Sequence, residues 1–166
     1  GPATKDKMNL RIKNGVDHYY DIGSMSDKEA AIFARTHELD IAIDLGGYTK
    51  DARTEIFAMS LAAIQVSYLG FTATMGSNYM DYIIADQVVI PRENQHYYSE
   101  SITYLPNSYM VNDSKIKASY KTYTKNDFNL PDNGFIFCCF NNHYKITPDV
   151  FACWMRILSQ VDGSVL

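Results

Sequence analysis

The chain has 166 residues, of which 46% are hydrophobic and 20% charged, and a net charge of −4. That suffices for one sizeable core or for parts of two domains of ordinary globular composition. Lysine and arginine are scattered rather than blocked, which argues against a nucleic-acid footprint or a basic membrane-surface helix. No apolar run reaches the roughly 18 residues that a bilayer span needs.

Residues 7–14 read as the end of a helix, and His18 to Ile22 as a short aromatic strand. Ser26-Asp27-Lys28-Glu29 is a capping box that opens a helix through Ala30, Ala31, Phe33 and Ala34 to about Glu38. Leu39 to Leu45 is apolar and β-branched enough for a buried strand, ending at Gly46-Gly47. A helix is predicted over 52–59, a strand over 64–69, a loop carrying Thr72, Thr74 and Gly76, and a strand over 82–85 that ends at Asp86. Pro91 opens a short helix or turn to about Tyr98, and the strand over 102–105 stops at Pro106.

Residues 107–123 are rich in Asn, Ser, Lys and Tyr without periodicity, the pattern of a linker between two lobes. Thr124 caps a short helix to residue 130. The run Phe135 to Phe140 predicts a buried parallel strand with Cys138 and Cys139 on opposite faces. It stops at Asn141-Asn142-His143-Tyr144-Lys145. A helix follows from Thr147 to about Gln160, with Val150, Trp154, Ile157 and Leu158 at helical spacing and Trp154 expected in the core. Gly163 to Leu166 reads as a turn entering a strand, so the chain is expected to be a fragment; Gly1-Pro2 is either native or a tag-cleavage scar. Strands alternating with helices predict an α/β fold with parallel sheets.

Cys138, Cys139 and Cys153 form neither a disulfide framework nor a CxxC pair, which suits a reducing, cytoplasmic setting. His18, His37, His96 and His143 lack HExxH or HxxxH spacing, so no metal site is expected. Candidate chemistry lies at three strand ends, where open α/β sheets bind ligands. The first is Asp44 to Arg53, with a Gly-Gly turn presenting Tyr48, Thr49 and Lys50. The second is Leu69-Gly70-Phe71 to Gly76, whose backbone N–H groups could hold a sugar or phosphate oxygen. The third is Asn142-His143-Tyr144-Lys145, where Lys145 is a point charge for a phosphate beside a helix start and Asn142 and Tyr144 offer neutral hydrogen bonds. Taken singly, each is as well explained by a turn or a surface loop. Asp44 and Asp86 read as turn caps, and His18 and His143 as structural and surface residues.

Taken in order, these segments resemble the catalytic region of the protein O-linked N-acetylglucosamine transferases and the related SPINDLY-type O-fucosyltransferases. The matching stretches are Asp44 to Lys50 with Arg53, Gln65, Leu69-Gly70-Phe71 with Thr74-Met75-Gly76, Met80 to Asp86, Tyr98-Ser99-Glu100, and Cys139 to Ile146. The resemblance implies a GT-B architecture of two Rossmann-like lobes with a nucleotide sugar between them. Residues 1–106 would be the later part of the amino-terminal lobe, 107–123 the interlobe linker, and 124–166 the start of the carboxyl-terminal lobe.

It further implies metal-independent, inverting transfer from UDP-GlcNAc to Ser or Thr of a protein or peptide, with no cofactor besides the nucleotide sugar. Lys145 and Tyr144 would lie at the diphosphate; Asn142, Lys145, Tyr48, Thr49, Leu69 and Gly70 would bind the donor. Asn142 stands where animal enzymes often have Gln. His18 does not match the family's amino-lobe His motif, and the tetratricopeptide repeats and much of the nucleotide pocket have no counterpart here. The piece alone is therefore expected to be inactive. A relative using GDP-fucose or transferring glucose to Asn, and a truncated domain that only binds a partner, remain alternatives.

Overall fold

The computed structural model describes residues 6–166. The chain divides into two compact units, Gly1–Asp113 and Ser114–Leu166.

In the first unit, helix α1 (Lys7–Lys13) is capped by Asp6, whose carboxylate accepts from Asn9 N at 2.8 Å. Helix α2 (Asp27–Arg35) starts at the expected capping box, with Ser26 and Glu29 bonded reciprocally. The strands are β1 (Ile41–Asp44), β2 (Ile64–Tyr68), β3 (Tyr82–Ala85) and β4 (Ser101–Tyr104), with the four-residue helix α3 (Glu55–Ala58) between β1 and β2. They pair in parallel in the order β1-β2-β3-β4. The α/β class expected from the sequence holds, and all four strands of this unit lie where they are predicted to within two residues.

Two apolar clusters hold the unit. Ala30 and Ala31 of α2 pack with Ala42, Ile56 and Leu61 on one side, and Ile83, Ala85 and Ile90 pack with Val89, Tyr98 and Ile102 at the β3–β4 end. The small alanines of α2 let it pack against α3, whose Ile56 belongs to the same cluster. Asp86 terminates β3 as expected of a turn cap. Its Oδ1 accepts from Val88 N and Val89 N, and its Oδ2 from Tyr109 N at 2.8 Å, which ties residue 109 back to the sheet. Tyr68 Oη donates to the Tyr109 carbonyl, and Arg11 forks onto Asp113.

The segment His18 to Ile22 is not a strand. Its aromatics instead build a cluster in which the Tyr20 ring meets Phe33 at 4.9 Å and His37 at 4.8 Å. Aromatic side chains raise strand propensity, but no neighbouring backbone is offered to this segment, and contact with α2 decides its conformation.

The second unit holds a 3₁₀ turn at Lys125–Phe128 with a Thr124–Asp127 capping box, a 3₁₀ turn at His143–Lys145, and helix α4 (Pro148–Leu158). The predicted buried strand over 135–140 is reduced to one parallel bridge, Ile136 to Val165. Cys138 and Cys139 are exposed, and Phe140 is 98% exposed. The reason is local to the sheet: a buried parallel strand needs hydrogen-bonded neighbours and covering helices, and among the described residues only Val165 provides a rung. Trp154 is half-buried rather than a core residue. It lines a cavity of about 180 Å³ with Phe137, Cys138, Cys139, Ile157, Leu158 and Leu166. Among the described residues no helix is long and apolar enough to cross a membrane.

Candidate functional site

The candidate residues fall into two groups, one in each unit. In the first unit, the turn after β1 and the loop after β2 interlock at the carboxyl end of the sheet. Asp44 Oδ1 accepts from Gly46 N at 2.8 Å and shapes the turn. Gly47 has φ +55°, and a β-carbon there would lie 2.3 Å from Phe71 Cβ; a β-carbon on Gly70 would lie 2.2 Å from the Leu45 carbonyl oxygen. Both glycines are thus demanded by close approach, and Leu69 accepts a left-handed φ of 69° to make it. Tyr48 packs edge-on against Phe71, with ring centroids 5.5 Å apart, and its hydroxyl donates to the Met75 carbonyl at 3.0 Å. Tyr48, Leu69 and Gly70, distant in sequence, therefore belong to one constellation. Thr49 and Lys50 line the neighbouring cavity, which is about 950 Å³ and also bounded by Tyr19 to Gly23 and Asp44 to Gly46.

The far end of the second loop is held by Glu100. This buried carboxylate accepts from Met75 N at 2.6 Å and from Thr74 Oγ1 at 2.7 Å. Tyr98 Oη donates to the Thr72 carbonyl; burial, then the Glu100 charge, pushes its phenol up from the ordinary tyrosine value. Burial and a hydrogen bond with Tyr48 likewise raise Tyr79. Gln65 is 3% exposed and fully occupied: its amide donates to the Phe57 and Tyr79 carbonyls and its Oε1 accepts from Leu61 N. Arg53 forks onto the Ile22 and Met25 carbonyls and onto Asp27. Glu100, Gln65 and Arg53 thus build the loops.

In the second unit, Asn142, His143, Tyr144 and Lys145 are exposed, Tyr144 at 71%. They form the turn that feeds α4, with Lys145 N donating to the Asn142 carbonyl at 3.0 Å. Thr147 caps the helix and Pro148 opens it. The Lys145 ammonium is thus presented to solvent two residues before a helix cap, in an arrangement open to an anionic ligand.

The model of glycosyl transferase family 41 matches residues 2–122 and 114–166. The chain belongs to glycosyl transferase family 41. It is 42% identical over 161 residues to a probable UDP-N-acetylglucosamine–peptide N-acetylglucosaminyltransferase SEC of Arabidopsis thaliana, covering 94% of this chain and 16% of that protein. It is 36% identical over 114 residues to a UDP-N-acetylglucosamine–peptide N-acetylglucosaminyltransferase of Caenorhabditis elegans, covering 67% of this chain and 10% of that one. A mutant O-GlcNAc transferase of Thermobaculum terrenum matches in structure at TM-score 0.81 and 25% identity, over 97% of this chain and 30% of that chain. This match supports the GT-B-like class expected from the sequence. The family 41 chain described here therefore spans a small fraction of the length of its relatives.

Proposed function

We propose that this chain is part of a protein O-glycosyltransferase that moves N-acetylglucosamine from UDP-GlcNAc to Ser or Thr hydroxyls of polypeptides, with inversion and without a metal. The observation that carries the reading is the 42% identity, over 94% of the chain, to a relative named as such a transferase. The exposed Tyr144-Lys145 pair ahead of α4 and the interlocked Gly47–Phe71 and Gly70–Leu45 loops support it.

In this reading the acceptor oxygen bonds to the anomeric carbon as the bond from that carbon to the diphosphate oxygen breaks. The charge that develops on the departing UDP is met by the Lys145 ammonium, with Tyr144 and Asn142 donating neutral hydrogen bonds. Tyr48, Thr49, Leu69 and Gly70 contact the donor side. The 166-residue chain, which covers 16% of that relative, is expected not to turn over alone, and transfer by the isolated chain would overturn this. The three exposed free cysteines suit a reducing compartment such as the cytoplasm.

The test is transfer by the full-length parent with labelled UDP-GlcNAc, GDP-fucose and UDP-glucose and a Ser/Thr peptide. Incorporation from UDP-GlcNAc alone, lost in Lys145→Ala with the fold unchanged, is the expected result. Preference for another donor would redirect the assignment. Undiminished turnover in Lys145→Ala would remove that residue's role.

A further inference from the structure

The loop that follows β2 is not shaped by its own backbone. Among the described residues, no backbone-to-backbone hydrogen bond is made by residues 71–76. Side chains from elsewhere set its form instead. Tyr98 Oη donates to the Thr72 carbonyl, Tyr48 Oη donates to the Met75 carbonyl, and Glu100 accepts from Thr74 Oγ1 and Met75 N.

Glu100 is 4% exposed, and both of its oxygens are used on this loop. Both partners are donors. Thr74 Oγ1 already accepts from Gly76 N and Ser99 N, so its own proton goes to Glu100. Met75 N has only a proton to offer. A glutamine would fill the same space but supply one acceptor and one donor, and so serve only one of the two. The position therefore demands a carboxylate, although neither ion pair found among the described residues involves it.

Met75 carries the connection to the candidate site. It is 3% exposed; its N–H is held by Glu100 at 2.6 Å, and its carbonyl receives the Tyr48 hydroxyl at 3.0 Å. Tyr48 is 55% exposed, yet its hydroxyl proton is spent on that carbonyl. The direction of the Tyr48 ring thus depends on the Met75 peptide, and the Met75 peptide on Glu100.

We propose that Glu100 is a positioning residue for the transfer reaction: acting through Met75, it fixes Tyr48 on the donor side. The proposal rests on the glycosyltransferase reading for what Tyr48 meets.

The experiment uses the full-length protein. Glu100→Gln removes one of the two acceptors, and Tyr48→Phe cuts the same chain at its other end while keeping the ring. Each is expected to raise the KM for UDP-GlcNAc about tenfold and to move the KM for the peptide far less. The double variant is expected to be no worse than either single one, because both break one chain. Asp86→Ala is the control for lost stability: it removes the bonds to Val88, Val89 and Tyr109, none of which belongs to the loop. Lost stability alone lowers the active fraction, and with it the apparent kcat, and leaves both KM values as they were. An unchanged nucleotide-sugar KM in Glu100→Gln, a rise confined to the peptide, or additive effects in the double variant would overturn the proposal.

A second measurement does not depend on turnover. UDP-GlcNAc is titrated calorimetrically into the full-length protein and into its Glu100→Gln variant. A Kd about tenfold weaker in the variant supports the positioning role. Equal Kd values, or no binding to the wild type, overturn it. A wild type that binds the nucleotide sugar but transfers nothing would refute the activity reading and leave this titration to decide the role of Glu100.

Discussion

Gly47 and Phe71 meet so closely that any β-carbon at position 47 would sit 2.3 Å from Phe71 Cβ, and the Gly47 backbone is also left-handed at φ +55°. The turn after β1 and the loop after β2 are therefore locked together by the absence of a side chain. Gly76 offers an internal control, since it too is left-handed, at φ +58°, yet nothing lies within 4 Å of its β-carbon position. Gly76→Ala is expected to cost about 1 kcal/mol from backbone conformation alone. Gly47→Ala adds overpacking and is expected to cost about 2–4 kcal/mol. Chemical denaturation of the two variants measures the difference.

Glu100 ties the loop after β2 to the start of β4. Removing its carboxylate strands a buried amide and the Thr74 hydroxyl, both of which it accepts from at 2.6–2.7 Å. Glu100→Ala is expected to destabilise the first unit by about 2–3 kcal/mol. Faster amide exchange at Met75 and its neighbours would show that the loss is seated in this loop, and an unchanged rate there would contradict the anchoring role.

Arg53 binds three oxygens with three different nitrogens, at 2.6 Å to Asp27 and 2.7–2.8 Å to the Met25 and Ile22 carbonyls. A lysine carries the charge but not the planar fork. Arg53→Lys is expected to lower stability by about 1–3 kcal/mol. Because Asp27 survives as a surface charge, Asp27→Asn is expected to cost less than Arg53→Lys; the reverse order in denaturation would show that the ion pair, rather than the two carbonyl bonds, is what matters.

The hydrogen bond from Tyr109 N, then those from Val89 and Val88 N, hold the Asp86 carboxyl below its ordinary value. A carboxylate with a lowered folded pKa stabilises the fold above its unfolded pKa, near 3.9, and loses that contribution as pH falls through the folded value. Glu29 and Asp127, each lowered by the capping bonds of Ser26 and Thr124, act with the same sign. Stability is therefore expected to be insensitive to these groups above about pH 5 and to fall below about pH 4. Asp86→Asn should flatten that acid limb in pH-dependent denaturation; an unchanged limb would remove Asp86 from the account.

Some features of this protein are written locally. The four strands of the first unit are runs of β-branched and apolar residues bounded by Gly, Asp or Pro, and the starts of α2 and α4 are set by Ser26-Glu29 and Thr147-Pro148. Side-chain oxygens reaching backbone N–H groups three residues away need no tertiary context. The turns at Asp44-to-Arg53 and Leu69-to-Gly76 were likewise visible as glycine-containing segments at the ends of β1 and β2.

Other features required the chain to fold. Glu100 reaches Met75, and Gly47 makes room for Phe71, across separations that no periodicity encodes. Asp44 reads as an ordinary turn cap until the β1–β2 register places the Ser67 hydroxyl beside it and leaves its second oxygen unpaired. Residues 135–140 have the composition of a buried strand, yet composition cannot supply neighbouring backbone, and among the described residues only the Val165 rung forms. Residue type thus determined where strands and caps could form; the tertiary structure decided which of them found partners, because hydrogen-bonded neighbours and close glycine contacts come from distant parts of the chain.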